Sequence, residues 1–561
     1  MTGSLLRHLM RFSVRKLAVE WAAALERPAE AQAVRLAAIL ARHADAAVGR
    51  RNAFELLRDP DAYRRALPIR SYEDFRPEID RMRAGEPGVL VDEPVELFAV
   101  TSGTTGAPKY VPVTRSMNLE QHRSHRWWMA GLVADHPAVT SGKLFTIVSP
   151  AEEGRTDGGV PVGSASGKNY RNQPVPVRRM HAAPYEAFCI ADYEARHYAL
   201  LAFALAADVT CVTSVNPSTL VLLAERMRRD GADLLADLRD SRGWTGRGSL
   251  ARCPRLDPAE RARLERLLRP SRRRVAHLER VLARDGVLTP QAAWPRLACL
   301  CTWHGGNAPF YLGRLAADWG PAPTRCLGLR ASEGMFSIPL ADRTPEGVLA
   351  VWGHFLEFLP EEGEPTPTAE TLLAHELERG RRYRLIITTS GGLYRYDLGD
   401  IVEVTGLRGR APVVAFLHKA GQVLSVTGEK VTEAQAVAAG KRALRPAPAG
   451  FTVTLALAQT PRYRVSVEWA AADAPRDDDA RAALAEAFDQ ALSRENVEYA
   501  AKRKSGRLDP PELELLPPGS YAAWRRAQVA AGRPDGQIKP PHLLRDPAAL
   551  DAIRSAADPD A

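Results

Sequence analysis

The spacing of apolar residues predicts helices at the beginning of the chain and short strands further along. In residues 1–55, Ala, Leu and Arg recur with the period of a helix, and Arg27-Pro28 interrupts the pattern. After Pro68, short apolar runs alternate with helical segments. The runs that predict strands span 95–100, 144–148, 209–215 and 297–302. Strands and helices that alternate in this way favour an α/β fold with a largely parallel sheet.

Two later segments depart from this alternation. Strand signals dominate residues 347–387, which predicts a smaller β subdomain. Beyond residue 418, a helix, two strands with apolar residues at every second position and a second helix predict a separate α+β unit. We therefore expect a large N-terminal domain, residues 1–417, and a smaller C-terminal domain, residues 418–561.

The composition is that of a globular protein. The chain has 561 residues, of which 45% are hydrophobic and 25% charged, so disorder as the main state is excluded. No run of about 18 apolar residues occurs, and the amino terminus carries Arg7, Arg11 and Arg15 without an apolar core. The six cysteines lack the spacing of zinc ligands. We expect a cytoplasmic protein with reduced thiols and no membrane contact.

The net charge of +9 does not by itself indicate nucleic-acid binding. Arginine is most concentrated in residues 261–274, and tracts of this kind are usually solvated helix faces. No motif that reads RNA or DNA accompanies the tract. We expect no nucleic-acid partner. A non-enzymatic protein that binds an acidic partner through this helix is a remote alternative.

A loop of small and hydroxyl-bearing residues follows the first predicted strand directly. It comprises Thr101, Ser102, Gly103, Thr104, Thr105, Gly106, Ala107, Pro108 and Lys109. Its glycines allow close backbone approach, its hydroxyl and N–H groups suit phosphate oxygens, and Lys109 adds a positive charge. The spacing is not that of a Walker A loop. A simple turn that joins the strand to a helix is the alternative interpretation.

Three further motifs follow in the second half of the chain. They are 303–309 (WHGGNAP), 329–334 (LRASEG) and 392–400 (GLYRYDLGD). Each motif alone is commonplace. In this order, and after the loop 101–109, they resemble the nucleotide-binding signatures of adenylate-forming enzymes.

Motifs from about residue 30 to residue 542 match one family of such enzymes in its own order. They are 68–75 (PIRSYEDF), 77–79 (PEI), the loop 101–109, 393–396 (LYRY), 423–430 (VLSVTGEK), 502–508 (KRKSGRL) and 535–540 (DGQIKP). With these motifs the chain resembles the Gretchen Hagen family of acyl-acid amido synthetases, the auxin-responsive-promoter family. The resemblance covers nearly the whole chain.

The resemblance implies a two-step ligation in the fold of adenylate-forming enzymes. With ATP and Mg²⁺, a small carboxylic acid, preferably an aromatic one, becomes an acyl-adenylate and pyrophosphate is released. An amine, either an amino acid or ammonia, then displaces AMP and forms an amide. Rotation of a mobile C-terminal cap domain, with the site between the two domains, is expected to separate the steps. A ligase that forms a thioester with coenzyme A or a carrier protein is the alternative.

The resemblance also assigns roles to individual residues. Nucleotide binding falls to Thr101, Ser102, Gly103, Thr104, Thr105, Lys109, Gly305, Gly306, Leu329, Ser332 and Asp400. Glu333 would bind Mg²⁺, which prefers carboxylate oxygen, and Asp400 would accept hydrogen bonds from the ribose hydroxyls. Lys430 and Lys539 belong to the smaller domain, and Lys539 is predicted to stabilise charge on the α-phosphate during adenylation. Without the resemblance, either lysine would be interpreted as a solvated surface charge.

Three residues depart from the family's pattern. Leu329 stands where the family usually has a tyrosine that stacks on adenine, so nucleotide affinity or pocket shape is expected to differ. Arg330 is unusual at its position and is predicted to lie near a substrate. Asp397 adds an acid beside the ribose-binding turn, where the plant members tend to be neutral or basic. None of the three removes a group that the chemistry needs.

The acyl-acid pocket is predicted on the helix after the loop 101–109 and around residues 170–185. Trp127 and Trp128, with Arg126 and the nearby His122, Arg123 and His125, would provide an aromatic slot with a cation for the substrate carboxylate. Two adjacent tryptophans on a helix are, however, more often core residues. We expect a monomer or a weak dimer. The Ala- and Arg-rich composition favours a bacterial source, for which plant auxin chemistry need not apply.

Overall fold

The computed structural model describes most of the chain and divides it into two compact units. The described residues are 18–101, 108–239, 246–306, 308–420, 423–424, 426–427, 429, 431–456, 460–533, 535 and 538–557. The first unit comprises Met1–His304 and Arg314–Phe416, and the second comprises Gly305–Gly313 and Leu417–Ala561.

Helices account for much of the chain up to residue 319. They are a helical segment over 18–26 and Pro28–Arg42, Ala47–Arg51, Pro60–Ala66, Tyr72–Arg83, Arg115–Asp135, Ala165–Arg171, Val175–Arg178, Tyr193–Ala206, Pro217–Leu238, Pro258–Glu265, Arg272–Asp285, Pro290–Ala293 and Ala308–Trp319. Single 3₁₀ turns span Phe54–Leu56, Pro137–Thr140, Tyr185–Cys189 and Ala374–Glu376. None of the helices in the described residues combines the length and the hydropathy that a membrane crossing requires.

Three of the four predicted strands, at 144–148, 209–215 and 297–302, form a four-stranded parallel sheet with a fourth strand that was not predicted. Its strands lie in the order Lys143–Thr146, Val209–Thr213, Cys299–Thr302 and Thr324–Cys326, and all pairs are parallel. The strand Cys299–Thr302 is buried at every position, which is why it reads as a continuous apolar run. Between the second and third strands, Asn216 caps the helix Pro217–Leu238 by accepting from the backbone N–H of Ser218 at 3.2 Å.

Residues 95–114 form a hairpin rather than a strand that leads into a helix. Val95–Thr101 pairs antiparallel with Lys109–Thr114. Pro161–Gly163 pairs with Val95–Thr101 in parallel, and Gly154–Arg155 completes a four-stranded mixed sheet. The alternative of a simple strand-to-helix turn at 101–109 is therefore wrong, because the helix Arg115–Asp135 begins only after the second strand.

The β subdomain predicted at 347–387 is part of a seven-stranded antiparallel sheet. Its strands lie in the order Ser337–Ile338, Gly347–Leu349, Ala411–Lys419, Tyr396–Arg408, Arg382–Thr388, Phe355–Pro360 and Leu372–Leu373. A separate short hairpin pairs Arg330–Ala331 with Gly334–Met335. The sheet and this hairpin carry the later motifs of the sequence.

One apolar core joins the mixed sheet to the seven-stranded sheet. Phe98 from the first sheet and Phe355 and Tyr396 from the second are at most 1% exposed. Burying a side chain of this size stabilises the fold by about 1.5–3 kcal/mol. The core therefore holds in place the strands that lead to the loop 101–109 and to Asp400.

The second unit is an α+β arrangement. Its three-stranded sheet has the order Gly450–Ala456, Arg462–Glu468 and Glu512–Leu516, with an antiparallel and a parallel pair, and Val423–Leu424 pairs with Val431–Thr432 in a short ladder. Its helices are Glu433–Ala443, Asp478–Glu495, Val497–Lys504, Ser520–Ala530 and Ala548–Arg554, with a 3₁₀ turn at Ser555–Ala557. Tyr463, Phe488 and Tyr499 are fully buried and form its centre.

Candidate active site

The two ends of the loop 101–109 lie side by side because they belong to paired strands. Lys109 is opposite Thr101 in the register. The Nζ of Lys109 lies 5.3 Å from the centroid of the Tyr72 ring, a favourable cation–π contact. The side chain of Thr101 and all of Ser102, Gly103, Thr104 and Thr105 lie outside the described residues. The phosphate-binding role of the loop stays a prediction.

Glu333 lies in the turn of the hairpin that Arg330–Ala331 and Gly334–Met335 form. Its side chain is 4% exposed. The hairpin packs closely on His354, because a Cβ on Gly334 would lie 2.4 Å from the Nε2 of that histidine. Only glycine fits at this contact. The turn thus holds a buried carboxylate at a fixed position.

Asp400 lies in a β-bulge. Where two neighbouring strands of the seven-stranded sheet pair, residues 398–400 oppose the single residue Leu385. Gly399 in the bulge has a φ of +73°, a conformation that glycine adopts at little cost. Asp400 itself is 4% exposed. The bulge re-aims the carboxylate of Asp400 out of the regular alternation of the strand.

The charges of Glu333 and Asp400 both affect the pKa of the buried phenol of Tyr396. Burial raises the pKa of Tyr396 well above its usual value, and the negative charges of Glu333, Asp397 and Asp400 raise it further. The predicted magnesium ligand and the predicted ribose ligand therefore both lie within electrostatic reach of the same ring, and their roles stay predictions. The extra acid Asp397 is compensated, because the Nε of Arg384 donates to its Oδ1 at 2.8 Å.

Leu329 and Ser332 precede Glu333 along the chain. Leu329 is 4% exposed and belongs to the same apolar cluster as Phe336. Its backbone N–H donates to the Oγ of Ser337 at 2.9 Å. The backbone oxygen of Ser332 accepts from the Nε2 of Gln121 at 3.5 Å. The structure places Leu329 in the core behind the hairpin, and its contact with adenine stays a prediction.

Arg330 extends from the base of the hairpin to the helix Arg115–Asp135. Its Nη2 donates to the Nδ1 of His125 at 3.3 Å and lies 3.0 Å from the Sδ of Met335. The His125 ring stacks on Trp128, with centroids 5.5 Å apart. Burial, helped by the charge of Arg330, lowers the pKa of His125 to about 3. The ring is therefore neutral, and its Nδ1 is the acceptor.

Trp127 and Arg126 lie on other sides of the same helix. Trp127 packs edge-on against Trp21, with ring centroids 4.1 Å apart, and Arg126 is exposed. Side chains two positions apart on a helix do not share a face, so Trp127 points away from the side that His125 occupies. The role of Trp127 and Arg126 in a substrate slot stays a prediction.

Two histidines of the predicted slot region, His122 and His125, make polar contacts from this helix. His122 and His125 are three residues apart and therefore share a helix face. The Nε2 of His122 donates to the Oδ1 of Asn169 at 3.2 Å, and His125 accepts from Arg330. Both histidines belong to the segment in which the sequence predicts a substrate slot, and their role in binding the acid stays a prediction.

Gly305 and Gly306 come after the parallel strand Cys299–Thr302. Gly306 has a φ of +58°, which favours glycine. The role of Gly305 and Gly306 in an adenine slot stays a prediction. The next residue, Asn307, lies outside the described residues.

Lys539 is exposed on a loop of the second unit whose neighbours are anchored. Ile538 is 4% exposed within an apolar cluster, and the Nδ1 of the fully buried His542 donates to the backbone oxygen of Phe451 at 2.8 Å. Burial raises the pKa of Glu433, and the positive charge of Lys539 opposes that rise. The anchors hold the backbone while the ammonium group stays accessible. Lys430, the other predicted cation, lies outside the described residues.

The fold is that of the adenylate-forming ligases. The chain is similar to the solved structure of the GH3.15 acyl acid amido synthetase, with a TM-score of 0.81, 20% identity, and coverage of 96% of this chain and 95% of that one. It is also similar to 2-hydroxyisobutyryl-CoA ligase in the postadenylation state, with a TM-score of 0.53, 14% identity, and coverage of 94% and 91%. The predicted fold class is confirmed.

Family models identify the chain within this fold. The GH3 family N-terminal domain matches residues 20–323, the central domain matches 347–419 and the C-terminal domain matches 431–548. The chain belongs to the GH3 family, which confirms the resemblance that its motifs carry. A relative in Oryza sativa subsp. japonica, the probable indole-3-acetic acid-amido synthetase GH3.2, is 25% identical over 91% of this chain and 87% of its own length. The indole-3-acetic acid-amido synthetase GH3.8 of Oryza sativa subsp. indica is 27% identical over 89% and 85%.

Proposed function

We propose that this chain joins a small carboxylic acid to an amine at the expense of ATP. The carboxylate attacks the α-phosphate, which releases pyrophosphate and leaves an acyl-adenylate. The amine, an amino acid or ammonia, attacks the acyl carbon, so that AMP departs and an amide remains. The observation that carries the proposal is the match of the chain to all three domains of the GH3 family, in which the buried carboxylates of Glu333 and Asp400 both lie within electrostatic reach of Tyr396.

The residues present fit ATP and Mg²⁺. Glu333 and Asp400 are each 4% exposed, and a buried carboxylate is costly unless a cation or hydrogen-bond donors face it. Mg²⁺ takes carboxylate and phosphate oxygens, and ribose supplies hydroxyl donors. When bound, Mg²⁺ neutralises charge on the phosphate oxygens.

Each of the site residues has a proposed role in this reaction. Glu333 holds the metal ion, and Asp400 accepts hydrogen bonds from the ribose and so fixes the nucleotide. Lys109 and the loop 101–109 bind phosphate oxygens. Lys539, with Lys430 as the second cation, stabilises the charge that develops during adenylation. Most of the rate enhancement comes from this positioning and charge stabilisation, because AMP leaves far more readily than hydroxide.

The acceptor is an amine rather than a thiol. The relatives with known names are amido synthetases, and their similarity extends over most of this chain. The solved thioester-forming ligase shares the fold at a lower TM-score. An assay therefore has to distinguish amide formation from thioester formation.

The test is ATP-dependent pyrophosphate release with a panel of small carboxylic acids, alone and then with amino acids, ammonia or coenzyme A. We expect release with one class of acid and an amide only when an amine is present, both identified by mass spectrometry. Glu333→Gln should abolish release, whereas Glu378→Gln, at an exposed surface position, should leave it unchanged. A thioester product would show that the acceptor is a thiol rather than an amine. A chain that neither releases pyrophosphate nor binds ATP would refute the proposal.

A further inference from the structure

Asp397 forms an ion pair that spans the bulge in which Asp400 lies. Asp397 is opposite Ile386, before the bulge, in the register of the two strands. Its partner Arg384 is opposite Ile401, after the bulge. The Nε of Arg384 donates to the Oδ1 of Asp397 at 2.8 Å, and its Nη2 donates to Oδ2. Because two parallel hydrogen bonds fix both distance and orientation, the pair ties the two sides of the bulge together.

The carboxylate of Asp397 also binds the backbone inside the bulge. Its Oδ1 accepts from the N–H of Gly399 at 2.9 Å, and such a contact two residues along the chain is typical of aspartate in turns. Gly399 has a φ of +73°, and a glycine has many alternative conformations of similar energy. The extra residue of a bulge is unpaired in the ladder. The hydrogen bond from Gly399 to Asp397 therefore selects one conformation of the bulge.

Asp397 itself is held by a separate segment of the chain. Its backbone N–H donates to the backbone oxygen of Arg70 at 2.9 Å, and Arg70 forms an isolated parallel bridge with Tyr396. The side chains of Asp397 and Arg384 are 11% and 21% exposed. Both the backbone and the carboxylate of Asp397 are thus fixed by partners outside the bulge.

The conformation of the bulge decides where the carboxylate of Asp400 points, because Asp400 directly follows Gly399. Asp400 is 4% exposed, so its side chain has little room to correct a displaced backbone. Hydrogen bonds to a ligand weaken steeply when their distance or angle departs from the optimum. The positive charge of Arg384 offsets the negative charge of Asp397, so the contact with Gly399 adds no net charge to the turn.

We propose that Asp397 is a positioning residue that directs the carboxylate of Asp400 towards the ribose, through the N–H of Gly399 and the ion pair with Arg384. The inference rests on the function proposed above, in which Asp400 binds the ribose, and it adds a residue that does not itself touch the nucleotide. Asparagine at position 397 would keep an oxygen that accepts from Gly399, whereas alanine would not. The two substitutions therefore separate the hydrogen bond from the charge.

The experiment measures the Kd values of ATP, 2′-deoxy-ATP and 3′-deoxy-ATP in equilibrium binding. We expect Asp397→Ala to raise the Kd of ATP by about 3- to 10-fold, because the ribose contact of Asp400 is weakened. The Kd of the analogue that lacks the contacted hydroxyl should stay the same, so the preference for ATP falls by the same factor. Asp397→Asn should lie between the wild type and the alanine variant, since it keeps the acceptor and loses the ion pair.

Glu403→Ala is the matched control. Glu403 is opposite Arg382 on the same two strands, and the carboxylate of Glu403 lies 3.4 Å from the Nε of Arg382, outside the bulge. This variant should keep the affinity and the preference of the wild type. In an Asp400→Asn background, Asp397→Ala should change neither quantity further. The inference would be overturned by an Asp397→Ala variant that binds all three nucleotides more weakly by one factor, or by losses from Asp397 and Asp400 that add.

A measurement without nucleotide separates this inference from the proposed function. The backbone amide of Gly399 should exchange its hydrogen about 10-fold faster in Asp397→Ala than in the wild type or in Glu403→Ala, as resolved by mass spectrometry. Equal exchange in the three proteins would contradict the role of Asp397. A wild type that binds no ATP would refute the proposed function, and the exchange of this amide would then decide whether Asp397 fixes the bulge.

Discussion

Arg395 and Glu357 form an ion pair that is closed to solvent. The Nη2 of Arg395 lies 3.0 Å from the Oε1 of Glu357, and the two side chains are 2% and 0% exposed. The Nη1 of Arg395 donates to the backbone oxygens of Arg64 and Leu67 at 2.8 and 2.7 Å. The motif 393–396 that contributes to the family resemblance is therefore a structural clamp, placed shortly before the bulge that carries Asp400.

Replacing Arg395 by methionine should lower the free energy of unfolding by about 3–5 kcal/mol, because Glu357 would stay buried without its cation. Urea denaturation measures the loss. Arg381→Met is the matched control: Arg381 pairs with Glu378, both are 66% exposed, and its removal should cost at most about 1 kcal/mol. Equal losses in the two variants would mean that burial of the pair is not what stabilises this region.

The order of the motifs was sufficient to predict the family and the fold. Three of the four parallel strands were readable because each lies in a short apolar run, such as Cys299–Thr302. Glu333 and Asp400 were proposed as ligands because each belongs to a recognisable motif. Local sequence carries this information, since a turn or a buried strand is specified by neighbouring residues.

Features that depend on distant partners were not predicted. The bulge at residues 398–400 exists only relative to Leu385 on the neighbouring strand. The return strand that begins at Lys109 depends likewise on pairing with the strand before the loop. The contact between Arg330 and His125 joins residues 205 positions apart. Periodicity reports which face is apolar but not which element lies against it.

Asp400 should bind the nucleotide through its ribose. Because hydrogen bonds to a charged acceptor contribute about 1.5–3 kcal/mol, Asp400→Asn is expected to raise the Kd of ATP by about 10- to 100-fold. The sharper test uses 2′-deoxy-ATP and 3′-deoxy-ATP in equilibrium binding. The wild type should lose affinity for at least one of them, and Asp400→Asn should bind that analogue and ATP equally well.

A second variant on the same strand controls for general damage to the sheet. Glu403 is part of Tyr396–Arg408, and its carboxylate lies 3.4 Å from the Nε of Arg382. Glu403→Gln should leave the discrimination between ATP and both deoxy analogues as in the wild type. If Asp400→Asn still distinguished ATP from the analogues as the wild type does, the ribose contact would belong to another residue.

His43 should make the stability depend on pH. It is fully buried, its Nδ1 accepts from the backbone N–H of Asp92 at 3.0 Å, and its Nε2 donates to the backbone oxygen of Ser390 at 3.2 Å. Burial lowers its pKa from 6.5 to about 4. Between these values the unfolded chain binds the proton and the folded chain does not, so stability is full above pH 6.5 and falls as the pH drops towards 4.

The expected loss from this residue is about 3 kcal/mol, since each unit of pKa difference corresponds to about 1.36 kcal/mol. Urea denaturation at intervals between pH 7 and pH 4 measures it. His43→Gln should flatten the curve by that amount, whereas His375→Gln, at an exposed position, should leave its slope unchanged. A His43→Gln curve parallel to that of the wild type would show that another group takes up the proton.

Lys539 should act in only one of the two half-reactions. Its ammonium is exposed on a loop anchored by Ile538 and His542, so replacing it by alanine removes the charge and keeps the fold. Loss of a group that stabilises charge in the transition state typically costs about 10²- to 10³-fold in rate, and we expect this loss in pyrophosphate release. Amide formation from a supplied acyl-adenylate should change by less than about 3-fold, because the phosphate charge has then already been relieved.

Lys504→Ala, at an exposed position in the same unit, controls for the lost charge and should leave both rates unchanged. Equal losses in the two assays would assign Lys539 to binding rather than to adenylation.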